Sequence, residues 1–154
     1  MKPLAIVDTS CLIGLEGTSQ LHLLPALFSR LIVPPAVQRE FGSLPDTFHV
    51  QSPANNDLVQ ALRLMLGQGE AEVIALGTEL RSTEDCELVL DDWQARRVAK
   101  SFGLSTVGTI GILLRAKKEG LLEAVQPAMD VLRAHGFYIS DALYRRALEL
   151  AGET

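Results

Sequence analysis

The chain has 154 residues, of which 47% are apolar and 21% are charged, and its formal net charge is −5. This length fits one domain, residues 1–154, with a single packed core, and the composition excludes a disordered acidic chain. The negative charge argues against a general nucleic-acid coat protein, because binding to phosphates requires a positive field. Any contact with nucleic acid must therefore come from a local basic patch.

Compartment and processing can be predicted from the apolar runs and the cysteines. No apolar run approaches the roughly 18 residues that a membrane-spanning helix needs. The apolar stretch before Asp8 is too short for a secretory signal, so we expect the mature protein to begin at Met1. Cys11 and Cys86 follow no metal-ligand spacing, and we expect both to be reduced core residues. These features predict a cytoplasmic protein.

Short apolar runs alternate with helical periods along the first part of the chain, which indicates βαβ units and a parallel sheet. The predicted strands lie at residues 4–7 and 31–33, with a further short strand at 48–50 inside the loop 43–54. The predicted helices lie around residues 12–15, at 21–28 and after Pro34-Pro35 up to Phe41. Gly42 is the expected C-cap of the third of these helices.

The second part of the chain continues this alternation. Asn55 or Asn56 can cap a helix that ends near residue 65, and a glycine-rich break then precedes a new helix that begins at Glu70. The remaining strands are predicted at residues 88–90 and 106–107. The remaining helices are predicted at residues 93–102, 110–119, 125–134 and 141–151. We therefore expect an α/β fold with a parallel sheet of about five strands.

Acidic residues follow two of the predicted strands directly. Asp8 comes after the first strand, and Asp91 and Asp92 come after the strand at residues 88–90. In an open α/β sheet, ligands bind beyond the carboxyl ends of the strands, where successive loops converge. Taken singly, each of these aspartates could instead cap the helix that follows it.

Two further acids are predicted to point inward from helices. Apolar residues three and four positions after Glu70 place its carboxylate within the apolar stripe of its helix, and Glu40 shares a face with Val37. Glu72 and Glu79 are predicted to lie on the opposite, solvated face. A buried, unpaired carboxylate costs several kcal/mol, so an inward acid needs a cation, a hydrogen-bond network or a proton.

Acids that meet at one edge of a sheet form an oxygen-rich site for divalent cations. Mg²⁺ and Mn²⁺ prefer oxygen ligands, and no cluster of His or Cys offers zinc an alternative. Two such ions about 4 Å apart can activate a water and polarise a phosphodiester. The residues predicted to bind metal and to be catalytic are Asp8, Glu40, Glu70 and one or both of Asp91 and Asp92.

Four stretches of the sequence resemble, in order, the motifs of the PIN-domain family. They are VDTSCLIGL from Val7, IVPPAVQRE ending at Glu40, GEAEVIAL containing Glu70, and LVLDD ending at Asp92. The resemblance covers about residues 4–151 and is closest to a branch near the VapC-type toxins. The third acid is Glu70, where PIN nucleases usually carry aspartate.

This resemblance implies a fold, an activity and a partner. The implied fold is PIN-like, with a flavodoxin-like parallel sheet, and the implied activity is Mg²⁺- or Mn²⁺-dependent cleavage of RNA. Thr9 and Ser10, which follow the first acid, are expected to contact the RNA. An antitoxin is the partner that many such toxins have, so a small antitoxin protein is the expected partner.

The helix after Asp92 carries a basic face. Arg96, Arg97 and Lys100 follow Trp93 at helical spacing and are the candidate RNA-binding cations. The alternative is a solvated basic face without a ligand. For Trp93 we favour burial in the core over an exposed indole that stacks on a base.

Two alternatives to a nuclease also use this arrangement of acids. One is a PIN-like fold that serves as a non-catalytic binding module or scaffold. The other is a receiver-like phosphoacceptor domain, which would need an acidic pair after the first strand and a lysine after the last. The chain has one acid after the first strand and no lysine between Gly103 and Thr109, which disfavours the second alternative.

A homodimer is the oligomeric state that we expect from the C-terminal part of the sequence. Phe137, Tyr138 and Ile139 form an apolar run between polar helices. The C-terminal helices also carry more apolar surface than one sheet can cover, which favours a second copy as the cover.

Overall fold

The computed structural model describes residues 2–154 and contains a five-stranded sheet in which every strand pair is parallel. The strand order is β3-β2-β1-β4-β5, with β1 in the centre. The strands are β1 (Leu4–Val7), β2 (Leu31–Val33), β3 (Phe48–Val50), β4 (Cys86–Val89) and β5 (Ser105–Val107). Ala5 of β1 is in register with Leu31 on one side and with Glu87 on the other.

Helices flank this sheet throughout the described part of the chain. They are α1 (Thr9–Gly17), α2 (Leu23–Leu27), α3 (Pro35–Phe41), α4 (Asn56–Leu62), α5 (Gln68–Leu80), α6 (Trp93–Ser101), α7 (Thr109–Lys118), α8 (Gln126–Ala134) and α9 (Asp141–Ala151). A parallel sheet covered on both faces needs strands that are apolar throughout, and all four residues of β1 are fully buried. The predicted α/β fold with a parallel sheet of about five strands is confirmed, but the strand order 3-2-1-4-5 differs from the flavodoxin-like order 2-1-3-4-5.

The topology places one end of the sheet at a switch point. The chain builds outward from β1 through β2 to β3, and then returns to the other side of β1 with β4 and β5. In such sheets a crevice opens beyond the carboxyl ends of the strands where the order reverses, here between β1 and β4. Asp8 follows β1 directly, and Asp91 lies two residues beyond the end of β4.

Most predicted elements are present, and the differences are at their ends. Helix α5 begins at Gln68 rather than at Glu70, because Gly67 adopts the extended conformation of an N-cap residue. Glu70 therefore lies in the first turn of the helix. Strand β4 ends at Val89, one residue before the predicted end. Within residues 2–154, no helix is both long enough and apolar enough to cross a bilayer.

Candidate active site

The acids predicted from the sequence surround one open cavity at the carboxyl edge of the sheet. The cavity has a volume of about 670 Å³. Its lining residues are Asp8, Thr9, Ser10, Ile13, Glu40, Gly67, Gln68, Gly69, Glu70, Asp91, Asp92, Trp93, Phe137 and Tyr138. We call it the acidic cavity. The topology thus brings together acids from four separate parts of the chain.

Asp8 is the most deeply buried of these acids, with only 5% of its surface exposed. It occupies the N-cap position of α1, but its carboxylate makes no capping hydrogen bond. Burial is the main reason why the pKa of Asp8 rises from 3.8 to about 7. The nearby N–H of Thr9 opposes this rise, and repulsion by the charges of Glu70, Glu40 and Asp91 adds to it. The site therefore holds negative charge at a cost.

Glu40 reaches the same cavity from α3. The Thr9 hydroxyl donates a hydrogen bond of 3.0 Å to Glu40 Oε1 and thereby fixes the carboxylate next to Asp8. Gly69 lies beneath both acids: a Cβ built on it would be 2.7 Å from Glu40 Oε1 and 3.4 Å from Asp8 Oδ1. The missing side chain at residue 69 therefore leaves space for two carboxylates over the start of α5.

Glu70 enters the cavity from the first turn of α5. Its Oε1 accepts a hydrogen bond of 3.2 Å from the N–H of Gly67, which orients the side chain back over the helix start. Burial raises the pKa of Glu70, the bond from Gly67 lowers it, and the charges of Asp92 and Glu40 raise it further. Glu70 thus faces the other acids, as its position in the helical period predicted.

The two aspartates after β4 make different contacts. Asp91 accepts three hydrogen bonds: 2.7 Å from the N–H of Thr109, 2.7 Å from the Thr109 hydroxyl and 3.2 Å from the Cys11 thiol. Asp92 caps α6 by accepting a bond of 2.9 Å from the N–H of Ala95, the role that the simpler interpretation gave it. Both line the acidic cavity, so the sequence-based alternative between Asp91 and Asp92 stays open.

Among residues 2–154, none of the five carboxylates of the acidic cavity forms an ion pair with Lys, Arg or His. In the same range, no three His, Cys, Asp or Glu side chains converge closely enough to form a complete metal-ligand set. The acids therefore surround the cavity without meeting at one point. This arrangement suits a hydrated cation, because Mg²⁺ keeps several waters and is usually bound by one or two carboxylates together with substrate phosphates.

Comparison with protein families gives a match that covers nearly the whole chain. A family model for the PIN domain matches residues 4–153. The chain belongs to the PIN-domain family. No curated protein matches the sequence. PIN domains are generally nucleases and commonly use divalent metals, and membership of the family suggests RNA binding.

The prediction of a solvated face on this PIN domain is wrong for Glu72, whereas Glu79 is partly exposed. Glu72 is only 7% exposed; its Oε1 accepts a bond of 3.1 Å from the N–H of Ala36, and its Oε2 accepts 3.0 Å from the Gln68 side chain. Glu79 accepts hydrogen bonds from the N–H groups of Ala54 and Asn55. Both glutamates tie α5 to neighbouring segments. Glu72 joins the helices that carry Glu40 and Glu70.

Thr109 and Cys11 are part of this site, but sequence reasoning did not assign them to it. Thr109 is fully buried and holds both oxygens of Asp91 through its N–H and its hydroxyl. The available signal was its position two residues after β5, like that of Asp91 two residues after β4. Cys11 is a buried free thiol, as predicted. Burial raises the pKa of this thiol and the Asp91 charge raises it further, so the thiol stays protonated and donates to Asp91.

The predicted RNA-binding residues lie at the surface of the PIN domain. Ser10 is exposed and Thr9 partly exposed, and both line the acidic cavity. The predicted burial of Trp93 is wrong, because 70% of its surface is exposed. The side chains of Arg96, Arg97 and Lys100 are exposed and follow Trp93 along α6.

Proposed function

We propose that this protein is a Mg²⁺- or Mn²⁺-dependent endoribonuclease whose active site is the acidic cavity. The observation that carries the proposal is the buried Asp8, which has three acidic neighbours and no ion-pairing partner among residues 2–154. Proteins retain such unneutralised charge at functional sites, where a cation or a substrate offsets it. Membership of the PIN-domain family supports this choice of chemistry.

The residues that would hold the cation are Asp8, Glu40, Glu70, Asp91 and Asp92. Their oxygens are the donor type that Mg²⁺ and Mn²⁺ prefer. When bound, the cation would polarise the phosphodiester and lower the pKa of a water for attack. The surrounding residues orient these acids: Thr9 fixes Glu40, Gly67 fixes Glu70 and Thr109 fixes Asp91.

Cleavage of RNA with and without a chelator tests this function. In an assay on single-stranded and structured RNA, we expect cutting when Mn²⁺ or Mg²⁺ is present, and cutting should stop in excess EDTA. Cleavage that persists in excess chelator would contradict the metal-dependent mechanism. Binding of Mn²⁺ without cleavage of any RNA would favour the alternative, a non-catalytic PIN-like binding module.

Two matched variants decide between Asp91 and Asp92. Asp92→Asn keeps a good N-cap residue for α6 and removes only the charge. Asp91→Asn keeps the side-chain shape, but its new amide group faces the donors of Thr109 and Cys11. If Asp92 binds the cation, Asp92→Asn abolishes cleavage with an unchanged melting temperature. Full activity of Asp92→Asn would assign the role to Asp91.

The finer role and the partners stay predictions. We propose that the enzyme is the toxin of a toxin-antitoxin pair, acts in the cytoplasm and forms a homodimer. The exposed aromatic Tyr138 and the half-buried Phe137, both at the rim of the acidic cavity, support a protein partner near the site. Sedimentation at high micromolar concentration tests the homodimer, which a purely monomeric boundary would exclude.

A further inference from the structure

Trp93 lies between the acidic cavity and a second cavity. This second cavity has a volume of about 740 Å³ and shares Trp93 with the first. We call it the basic cleft; its lining residues are Glu87, Trp93, Arg96, Arg97, Lys100, Leu104, Ser105 and Thr106. The first turn of α6 therefore forms a continuous surface that leads from one cavity to the other.

The basic cleft carries the positive charges of three side chains. Within residues 2–154, Arg96, Arg97 and Lys100 form no ion pair. The single acid of the cleft, Glu87, is already bound by Arg115 through two hydrogen bonds of 2.7 and 3.0 Å. The chain as a whole has a net charge of −5, so phosphates would be attracted by this local positive field and not by the overall charge of the protein.

Trp93 is held in place without being covered. The Cζ atom of Arg97 lies 4.6 Å from the centroid of the Trp93 ring, a cation–π contact between residues one helical turn apart. Although Arg97 packs on the ring, 70% of the Trp93 surface remains exposed. A large aromatic surface that is exposed and held in position next to free cations is suited to stack on a nucleobase.

We propose that the basic cleft and Trp93 bind single-stranded RNA and lead it into the acidic cavity. Arg96 and Lys100 contact successive phosphates, and an unpaired base stacks on Trp93. A duplex does not fit this arrangement, because its bases are already paired and stacked and cannot reach the indole. The proposal rests on the proposed function, which supplies the acidic cavity as the end of the path, and it adds the surface on which the strand binds before it reaches that cavity.

The fluorescence of Trp93 reports binding directly, since it is the only tryptophan of the chain. The probe is a polyuridine strand of about 12 nucleotides, within the usual length of single-strand sites. Titration in excess EDTA separates binding from cleavage. We expect the single strand to quench the fluorescence and a duplex of equal length to leave it nearly unchanged. Equal quenching by the duplex would overturn the proposal.

Variants of the cations test the phosphate contacts. Arg96→Gln with Lys100→Gln should reduce the slope of log affinity against log salt by about 1.4, because each phosphate contact to a single strand contributes about 0.7. The matched control is Lys118→Gln with Arg145→Gln, which removes the same charge from exposed positions that line neither cavity. Equal changes in both double variants would show that only net charge matters, and would contradict the proposal.

Variants of Trp93 test the stacking contact. Measured by anisotropy of a labelled polyuridine strand, Trp93→Ala should weaken binding by roughly 5- to 150-fold, and Trp93→Phe by much less. Unchanged affinity of Trp93→Ala would contradict the stacking contact.

The outcomes also separate the two proposals. If RNA binds as expected but is not cleaved in the presence of any divalent cation, only the proposed nuclease function is contradicted. If Trp93→Ala and the Arg96/Lys100 double variant cleave single-stranded RNA as well as wild type, the proposed binding path over the basic cleft is contradicted and the nuclease function is not.

Discussion

Carboxylates are arranged in opposite ways in the acidic cavity and at the C-terminal end of the chain. Near that end, Glu153 accepts hydrogen bonds from Lys117 and from the N–H groups of Val125 and Gln126. Partial burial raises the pKa of Glu153, but these contacts outweigh it and lower the pKa overall. In the acidic cavity, burial and repulsion instead raise the pKa of Asp8 to about 7.

The difference separates acids that stabilise the fold from acids that the fold only tolerates. Glu153 ties α7 and the start of α8 to the C-terminal end, so its charge contributes to stability. Asp8 is charged only at the expense of stability, which is typical of a residue retained for its chemistry. Removal of a carboxylate should therefore have opposite effects on stability in the two regions.

The pH dependence of stability should give the largest effect on the free energy of unfolding. Asp8 has a pKa of about 7 in the fold and about 3.8 when unfolded, so the folded state favours its protonated form. Its contribution is neutral below pH 4, becomes unfavourable as the pH rises, and is fully unfavourable above pH 7, by up to roughly 4 kcal/mol. Metal-free wild type should thus lose stability across this range relative to Asp8→Asn, as urea unfolding can measure. Parallel pH profiles would contradict the account.

Glu70→Gln should cause a loss of activity without a loss of stability. The amide oxygen can still accept the bond from Gly67, while one negative charge leaves the cavity. Loss of a residue that contacts a metal only indirectly already costs up to about 100-fold in activity. Because Glu70 is proposed to hold the cation itself, we expect RNA cleavage to fall by more than that. Glu123→Gln, at an exposed position outside the cavity, is the control and should keep full activity. A similar loss in both variants would be incompatible with a specific role of Glu70.

Glu72→Gln should behave in the opposite way, although residue 72 lies only two positions further along α5. The carboxylate accepts from two donors, on Ala36 and Gln68, and an amide can satisfy only one of them with its oxygen. The expected loss is about 1–3 kcal/mol of the free energy of unfolding. Denaturant melts of the metal-free protein measure it. An unchanged free energy of unfolding in Glu72→Gln would show that the two hydrogen bonds accepted by Glu72 do not stabilise the fold.

Glu153→Gln should have the smallest effect. Because one oxygen of Glu153 accepts from both Lys117 and Val125, substitution weakens these contacts and should cost roughly 1 kcal/mol. RNA cleavage should be unchanged, since Glu153 does not line the acidic cavity. Thermal melting and the cleavage assay together check this outcome. An increase in stability would remove the contrast between the two regions.

The strands and the acids at their ends could be predicted because their signals are local. The residues of β1 are apolar without alternation, and Asp8 follows them at the position where ligands bind in such sheets. Helical spacing correctly placed Glu70 towards the cavity, but Glu40, predicted to point inward on the same grounds, is exposed at the cavity rim. The correct predictions needed no knowledge of contacts between distant segments.

The wrong predictions have two causes. One is the packing of a helix against neighbours on several sides, and the other is the weight given to the usual burial of tryptophan. Helix α5 contacts α3, α4, α6, β1 and β4 and is buried almost all round, so one apolar stripe could not identify its solvated face. Glu72 is buried for this reason. The spacing of Trp93 with Arg96, Arg97 and Lys100 indicated exposure, but the usual burial of tryptophan outweighed that signal. The contact of Thr109 with Asp91 joins residues 18 positions apart, and the position of Thr109 after β5 did not by itself reveal this contact.

The most direct test of the metal site compares the melting temperatures of wild type and Asp8→Asn at pH 8, with and without Mn²⁺. Without metal, Asp8→Asn should melt higher than wild type, because the buried charge is gone. With Mn²⁺ at about 100 times its Kd, wild type should gain about 2.7 kcal/mol, or roughly 5–10 °C, and Asp8→Asn should gain little. A metal-free Asp8→Asn protein that melts lower, or an equal gain from Mn²⁺ in both proteins, would contradict the assignment of the acidic cavity as the metal site.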